Sequence, residues 1–251
     1  MTVNYHHRQK ALRAPQLLAA WRAISAPKRV VQDGITLNLP GSDTDRRIRS
    51  QMLRGVYETP KRMVAEALLQ PGDRVLELGA GLGLVTITAA RIVGAGNIVS
   101  YEAAPDTFAL LAANLQANHF NVDLRNRAIG TQDGTLTFHV NSDIISSGAD
   151  ATRGSRAIEA PADAAARIFA EVRPDVLIMD IEGAEAEVVP TCPLGMLRAV
   201  MIQVHTDLVS DVAASAIMKQ MIDAGLMFQI DLSFGNIWAF RRPAPGGHGH
   251  D

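Results

Sequence analysis

The nine residues VLELGAGLG at positions 75–83 constrain the fold more than any other part of the chain. An apolar run leads into three glycines at alternate positions, and a helix-like pattern follows over residues 84–93. This order predicts a buried strand, a tight turn and the start of a helix. Glycines allow positive φ angles and a close approach of the backbone, and free N–H groups at a helix start favour an electron-rich ligand. The stretch therefore predicts a ligand site at the end of a strand.

The glycine spacing argues against a dinucleotide site. The fingerprint G-x-G-x-x-G, counted from Gly79, needs its third glycine at position 84, where this chain has Leu84. The third glycine is Gly83, one residue early. The string E-x-G-x-G-x-G that begins at Glu77 resembles instead the pattern of class I methyltransferases that depend on S-adenosyl-L-methionine (SAM).

Strand and helix patterns alternate along the rest of the chain. Strands are predicted at 75–79, 98–102, 122–129, 176–180 and 199–204, with an inserted strand at 135–140, and helices at 84–93, 106–118, 162–171, 184–189 and 211–224. Two final strands at 226–231 and 236–241 predict an antiparallel ending. The alternation predicts an α/β protein with a mostly parallel sheet. The antiparallel C-terminal strand resembles the ending of the Rossmann-like class I methyltransferase fold, and this resemblance implies a seven-stranded sheet with helices on both faces.

Charge divides the chain into two unequal parts. Residues 1–62 carry a net charge of +8 and the remainder −10, which gives −2 overall. We interpret residues 1–62 as a basic extension that serves as a lid or cap, with helices at 8–25 and a hairpin at 28–39. A helix predicted at 43–70, interrupted near Gly55–Pro60, continues from this extension into the next domain. Residues 63–243 then form the catalytic domain, and residues 244–251 a disordered tail. Residues 141–160 show no clear element and are expected to be a loop over the site.

Composition favours a cytoplasmic enzyme. The single cysteine, Cys192, cannot form an internal disulfide, and no apolar run is long enough to span a bilayer. We see no secretory signal pattern. Aromatic residues are too few for a base-stacking surface, so nucleic acid is not expected as a partner, although the basic segment leaves a nucleic-acid methyltransferase as an alternative. A homodimer is compatible with the sequence.

Ligands of open parallel sheets bind at the carboxyl ends of the strands. Glu102 ends the second core strand, 23 residues beyond Gly79, at the spacing where a carboxylate binds a ribose. A helix cap is the alternative, and Asp106 suits that role better. Ala103 follows Glu102, and Ala128, at the end of the third strand, leaves room for an adenine.

The fourth strand ends in two carboxylates, Asp180 and Glu182. On a strand their side chains point the same way and repel each other, so we expect them to serve a cation, a proton or a hydrogen-bonding substrate. Glu182 also suits a cap of the helix expected from Ala184. His205, after the fifth strand, is a candidate general base, with a structural histidine as the alternative. A third metal ligand is not evident, so no metal is predicted.

Five stretches resemble the FkbM-type family of SAM-dependent methyltransferases. They are GVYE at 55–58, PGDRVLELGAGLGLVTI at 71–87, YEAAPDTFALLAANLQAN at 101–118, NRAIGTQDGTLTF at 126–138 and PDVLIMDIEGAEAEVV at 174–189. The D-x-E-G-x-E string in the last stretch is more specific to this family than the glycine motif. The resemblance implies methylation of a hydroxyl on a small molecule, a sugar or a natural product.

The resemblance also implies roles for single residues. Glu77, Gly79 and Gly81, with Ala80 between the two glycines, are expected at the methionine end of SAM, Glu102 at the ribose and Asp180 at the floor of the active site. The family commonly shows Glu-x-His after the fifth strand, where this chain has Gln203-Val204-His205. A SAM-binding protein without catalytic activity is therefore an alternative, with Gln203 as its mark.

Overall fold

A seven-stranded sheet runs through the middle of the protein in this computed structural model, which describes residues 27–41, 46–140, 147–148 and 156–243. The expected helices at 8–25, the tail at 244–251 and most of the loop at 141–160 lie outside the described residues. None of the helices in the described part has the length and apolar character needed to cross a membrane.

Thirteen strands occur in the described residues. The first two form a hairpin: β1 (Arg29–Gln32) and β2 (Ile35–Asn38). The large sheet contains β3 (Val75–Leu78), β4 (Ile98–Tyr101), β5 (Asp123–Arg125), β10 (Val176–Met179), β11 (Ala199–Gln203), β12 (Met227–Phe228) and β13 (Ile237–Arg241). A separate four-stranded sheet contains β6 (Ala128–Gly130), β7 (Gly134–Val140), β8 (Ser147–Gly148) and β9 (Arg156–Ala164).

The α-helices precede or connect these strands. They are α1 (Arg46–Arg54), α2 (Thr59–Leu68), α3 (Leu84–Val93), α4 (Pro105–Ala117), α5 (Ala165–Val172), α6 (Glu185–Val188) and α7 (Asp211–Asp223). The helix expected at 43–70 is thus interrupted where the sequence predicts a break, and α3 has the predicted bounds.

The order of the large sheet is β12-β13-β11-β10-β3-β4-β5. The pairs from β11 to β5 are parallel, whereas β13 is antiparallel to both β11 and β12. The predicted seven-stranded, mostly parallel sheet with an antiparallel C-terminal strand is therefore confirmed. The chain builds outward from β3 to β5 and then returns to add β10 and β11 on the other side. Strand order thus reverses between β3 and β10, which is where such sheets bind ligands.

Apolar side chains cover both faces of the sheet, because parallel strands need helices on each side. On one face, Val75, Ile178 and Met201 pack with residues of α2, α3 and α4. On the other face, Leu177 and Val200 pack with residues of α5, α6 and α7. The prediction of helices on both faces is confirmed.

The N-terminal hairpin packs on α3 and α4. The main-chain N–H of Asn38 donates to Oδ1 of Asn114 at 2.7 Å, and that of Thr36 donates to Oδ1 of Asn118 at 3.0 Å. Arg91 donates to the carbonyl of Gly34 at 2.7 Å. The described part of the basic segment is therefore docked on the sheet-and-helix core. The domain boundary at residue 62 stays a prediction.

Two predicted strands differ from the structure. The strand expected at 122–129 is two strands, because the chain leaves β4 at Asn126, whose side chain donates to the carbonyls of Glu102 and Ala103 at 2.8 and 3.2 Å. The strand expected at 226–231 ends at Phe228, because the main chain turns there, with the N–H of Ser233 donating to the carbonyl of Gln229 at 2.9 Å.

The helix expected at 162–171 begins three residues late. Residues up to Ala164 belong to β9, which pairs with β6 on one side and β7 on the other. Alanine has a high helix propensity, which misled the prediction, but two ladders of backbone hydrogen bonds outweigh a weak local preference.

Candidate functional site

The glycine loop connects β3 to α3 across the carboxyl edge of the sheet. Gly79 has φ 84°, and a Cβ added to it would lie 1.8 Å from the carbonyl oxygen of Asp180. Only glycine fits there, because the loop passes directly over the end of β10. The N–H groups of Gly79 and Ala80 both donate to the carbonyl of Tyr101 at 2.9 Å. These two donors hold the loop to the end of β4.

Glu102 fastens the same loop from the second strand end. Its Oε2 accepts the N–H of Gly81 and its Oε1 accepts the N–H of Ala104, both at 2.9 Å. The residue is 8% exposed, and burial raises its pKa to about 7 although these two hydrogen bonds lower it. Each oxygen keeps a second lone pair for a ligand.

A cleft opens beside the glycine loop, with an empty volume of about 1100 Å³ that is partly open to solvent. Seven of the predicted site residues line it: Gly79, Gly81, Glu102, Ala103, Ala128, Asp180 and Glu182. Ile129, Leu136 and Phe138 also line it and supply an apolar wall. The cleft thus joins a carboxylate, small residues and an apolar surface at the point where the strand order reverses.

Glu77, Ala80 and His205 do not line this cleft. Glu77 and Ala80 face a smaller cavity of about 310 Å³. Glu77 is 1% exposed, and its Oε2 accepts the hydroxyls of Thr86 at 2.7 Å and Ser100 at 2.5 Å. Burial raises its pKa to about 7. In this structure Glu77 therefore ties β3 to α3 and β4, and its contact with SAM stays a prediction.

The side chains of Asp180, Glu182 and His205 lie close together, but the backbone conformation that brings them together differs from the predicted one. β10 ends at Met179, so neither carboxylate is on the strand, and Glu182 has a left-handed backbone with φ 54°. Strand alternation is therefore the wrong reason for their proximity. Nε2 of His205 lies 3.4 Å from Oδ1 of Asp180 and 3.2 Å from Oε2 of Glu182.

Glu185 orients this histidine, a role that the sequence did not reveal. The residue is fully buried, and its Oε1 lies 3.0 Å from Nδ1 of His205. The N–H groups of Ile181 and Gly183 donate to Glu185 at 3.1 and 3.0 Å. Glu185, and not Glu182, thus satisfies the backbone before α6, so the alternative role of Glu182 as a cap of this helix is not found.

The carboxylates around His205 raise the pKa of its imidazole. Burial by itself would lower the pKa of His205, but the hydrogen bond with Glu185 and the charges of Glu182 and Asp180 outweigh it and raise that pKa above the usual value. Burial and the charge of Asp180 likewise raise the pKa of Glu182. The side-chain amide nitrogen of Gln203 lies 3.0 Å from Nε2 of the histidine. The side chains of Asp180, Glu182 and His205 therefore favour a cation or an extra proton among them.

Lys61 is a second residue that the sequence analysis missed. Its Nζ contacts Oδ2 of Asp180 and lies 2.8 Å from Oε1 of Glu58, and its side chain is 15% exposed. Burial would lower the pKa of Lys61, but the carboxylates of Asp180 and Glu58 outweigh it and raise the pKa. The one signal in the sequence was that Glu58 belongs to a stretch shared with the FkbM family. A contact between residues 119 positions apart has no periodicity to reveal it.

Solved structures with a similar fold are distant. A methyltransferase from Pyrococcus furiosus is 12% identical, with a TM-score of 0.48, and the match covers 91% of this chain and 98% of that one. The precorrin-6y C5,15-methyltransferase of Geobacter metallireducens is 16% identical, with a TM-score of 0.43 and coverages of 69% and 72%. A putative rRNA methylase of Clostridium thermocellum is 10% identical, with a TM-score of 0.47 and coverages of 74% and 95%. Nothing about the substrate follows from scores this low.

No curated protein matches the chain. The family described as the methyltransferase FkbM domain matches residues 78–212, more than half of the chain. The matched range contains the glycine loop from Gly79, Glu102, Asp180 and His205. The protein therefore belongs to the FkbM family of methyltransferases, whose methyl donor is S-adenosyl-L-methionine.

Proposed function

We propose that this methyltransferase methylates a hydroxyl group of a small molecule, a sugar or a natural product. The observation that carries the proposal is the cleft, in which the glycine loop and Glu102 occupy one part and the carboxylates of Asp180 and Glu182 another. A cofactor pocket that opens onto two acidic side chains suits an acceptor that must lose a proton, as a hydroxyl must.

The residues of the cleft fit SAM. Each carboxylate oxygen of Glu102 has one backbone partner, so both can still accept a ribose hydroxyl. Ala103 and Ala128 are small, and Ile129 and Phe138 offer an apolar wall to a purine ring. We infer that the nucleoside lies along this wall and the amino-acid end beside Gly79 and Gly81.

When bound, SAM supplies a methyl group on a sulfonium. The leaving group is a neutral thioether, so it needs no proton. The chain then has to align the acceptor, exclude water and accept the hydroxyl proton. Glu182 suits the last task, because it lines the cleft and its raised pKa makes it a stronger base than an ordinary carboxylate. Nε2 of His205 lies 3.2 Å from Oε2 of Glu182, and Glu185 orients this histidine through Nδ1. Direct proton removal by His205 stays a prediction.

The experiment is a screen for release of S-adenosylhomocysteine with hydroxyl-bearing small molecules, and with total RNA as a separate acceptor. We expect turnover with a hydroxyl compound and a loss of turnover of about 100-fold or more in Asp180→Asn and Glu182→Gln. Methylation of RNA alone would favour a nucleic-acid methyltransferase. Tight SAM binding without turnover on any acceptor would favour a non-catalytic SAM-binding protein. Either outcome would overturn the proposal.

A further inference from the structure

One carboxylate oxygen in the described part of the chain lacks a hydrogen bond where one is expected. Oδ1 of Asp180 is fully buried and accepts no hydrogen bond from any described residue, whereas Oδ2 contacts Lys61. Oδ1 faces Nε2 of His205, and that nitrogen faces Oε2 of Glu182. Leaving a buried oxygen unpaired is costly, so its position needs a partner that none of the described residues supplies.

The surroundings of this oxygen have the geometry of a metal site. One ligand atom from each of Asp180, Glu182 and His205 lies within 4.8 Å of the other two. Ligand atoms about 2.1 Å from a tetrahedral cation lie about 3.4 Å apart, close to the distances of 3.4 and 3.2 Å from Nε2 of His205 to the oxygens of Asp180 and Glu182, so only small side-chain shifts are needed. We propose that Asp180, Glu182 and His205 bind a divalent cation of the first transition row at the floor of the cleft.

His205 is arranged as a ligand rather than as a packed core residue. Its side chain is 9% exposed, its Nε2 faces the two carboxylates and the side-chain amide of Gln203, and its Nδ1 lies 3.0 Å from the fully buried Glu185. Histidine ligands of metals usually donate their second ring N–H to a carboxylate, which fixes the ring and the tautomer. Glu185 is itself held by two main-chain N–H groups, so the ring orientation is built into the fold.

The charge balance also calls for a cation. Four carboxylates meet here, from Glu58, Asp180, Glu182 and Glu185, against the single ammonium of Lys61 and an imidazole. Burying this much uncompensated negative charge is unfavourable. A proton on His205 relieves part of it, and a divalent cation in the same place relieves more.

The donor set selects the kind of metal. An imidazole nitrogen suits zinc, iron and nickel, whereas carboxylates suit manganese and magnesium, so a mixed set favours a first-row transition metal over Mg²⁺. Three protein ligands leave positions free for water or substrate. Because Asp180 and Glu182 line the cleft, those positions face the acceptor. The role of the cation rests on the proposed function: it would hold the acceptor hydroxyl and lower the pKa of that hydroxyl, so that its proton passes more easily to the second carboxylate oxygen of Glu182.

Manganese binding can be measured without turnover. The full-length protein, without an oligohistidine tag, is titrated with Mn²⁺, and the electron paramagnetic resonance signal of free Mn²⁺ is followed. We expect one tight Mn²⁺ per chain, displaced by Zn²⁺. Glu182→Gln and His205→Ala should each weaken binding at least about tenfold, and Glu185→Gln by about 10- to 100-fold.

His119→Asn is the matched control, because His119 is exposed and lies on the loop after α4, outside the cluster. It should bind Mn²⁺ like the wild type. Any Mn²⁺ bound at the terminal histidines should be the same in every variant, because all variants keep those histidines. Glu182→Gln preserves the shape of a partly exposed side chain and keeps the test valid if His205→Ala does not fold. Equal binding by the wild type and Glu182→Gln, or no tight binding by the wild type, would overturn the site.

Methyl transfer measured in parallel separates the two proposals. Turnover on a hydroxyl that persists after chelation, together with no Mn²⁺ binding, would overturn the cation site and leave the proposed function in place. Tight Mn²⁺ binding without methylation of any hydroxyl would support the site and overturn the proposed function.

Discussion

At the level of single residues, Gly79 packs directly against the main chain of Asp180. The glycine has positive φ, and the space where a Cβ would lie is already taken by a carbonyl oxygen. The motif glycine is thus needed for the approach of two strand ends. The cofactor cleft is a consequence of that approach.

Gly79→Ala should destabilise the protein by roughly 3 kcal/mol or more, because a left-handed backbone and a clash with main chain add together. Denaturant unfolding followed by circular dichroism measures the change. Gly96→Ala is the control, since Gly96 lacks positive φ and a Cβ there meets nothing within 4 Å. Similar stability of the two variants would show that the approach of Gly79 to Asp180 is looser than described.

Glu102 gives a prediction for pH. Ribose hydroxyls donate to a carboxylate, so binding should favour the ionised form of a group whose pKa is about 7. The ionised fraction of such a group rises about tenfold between pH 6 and pH 8, so SAM affinity should rise by up to that factor. Calorimetry at both pH values measures it.

Glu102→Gln is the matched variant, because an amide of the same shape does not titrate in this range. Its SAM affinity should be lower than that of the wild type at pH 8 and nearly constant with pH. If the wild type and the variant show the same pH profile, Glu102 does not bind the ribose.

At the level of secondary-structure elements, α2 is fastened to the site by one buried ion pair. Lys61 reaches from α2 to Asp180 beyond β10, while Glu58 just before α2 contacts the same ammonium. Glu58 also lines the cleft. The end of the basic segment is therefore part of the floor of the site. The positive charge of Lys61 pairs there with the carboxylate of Asp180.

Lys61→Met should destabilise the protein by about 3 kcal/mol, because removal of the ammonium leaves two largely buried carboxylates without a counter-charge. Chemical denaturation measures the loss. The double variant Lys61→Met, Asp180→Asn should recover part of it. Lys219→Met is the control, because Lys219 and Asp223 form an exposed pair worth less than about 0.5 kcal/mol. Equal effects of Lys61→Met and Lys219→Met would contradict the account.

For the whole molecule, the sequence was most informative where local pattern and global fold agree. The alternation of elements predicted the seven-stranded sheet, and the rule that ligands meet strand ends selected Glu102 and Asp180. β9 was missed because its alanine-rich C-terminal end resembles a helix and its strand character comes from two distant partners. Lys61 and Glu185 were missed for a related reason: their roles depend on residues brought near only by folding.

The proposed function requires that the methyl group of SAM goes to a hydroxyl oxygen. The most direct measurement is incubation with SAM carrying a ¹³C-labelled methyl group and an acceptor found in the screen, followed by carbon NMR of the product. A labelled methyl ether, lost in Glu182→Gln, is the predicted result. A label on nitrogen, carbon or RNA, or an unchanged yield of ether in that variant, would contradict the account.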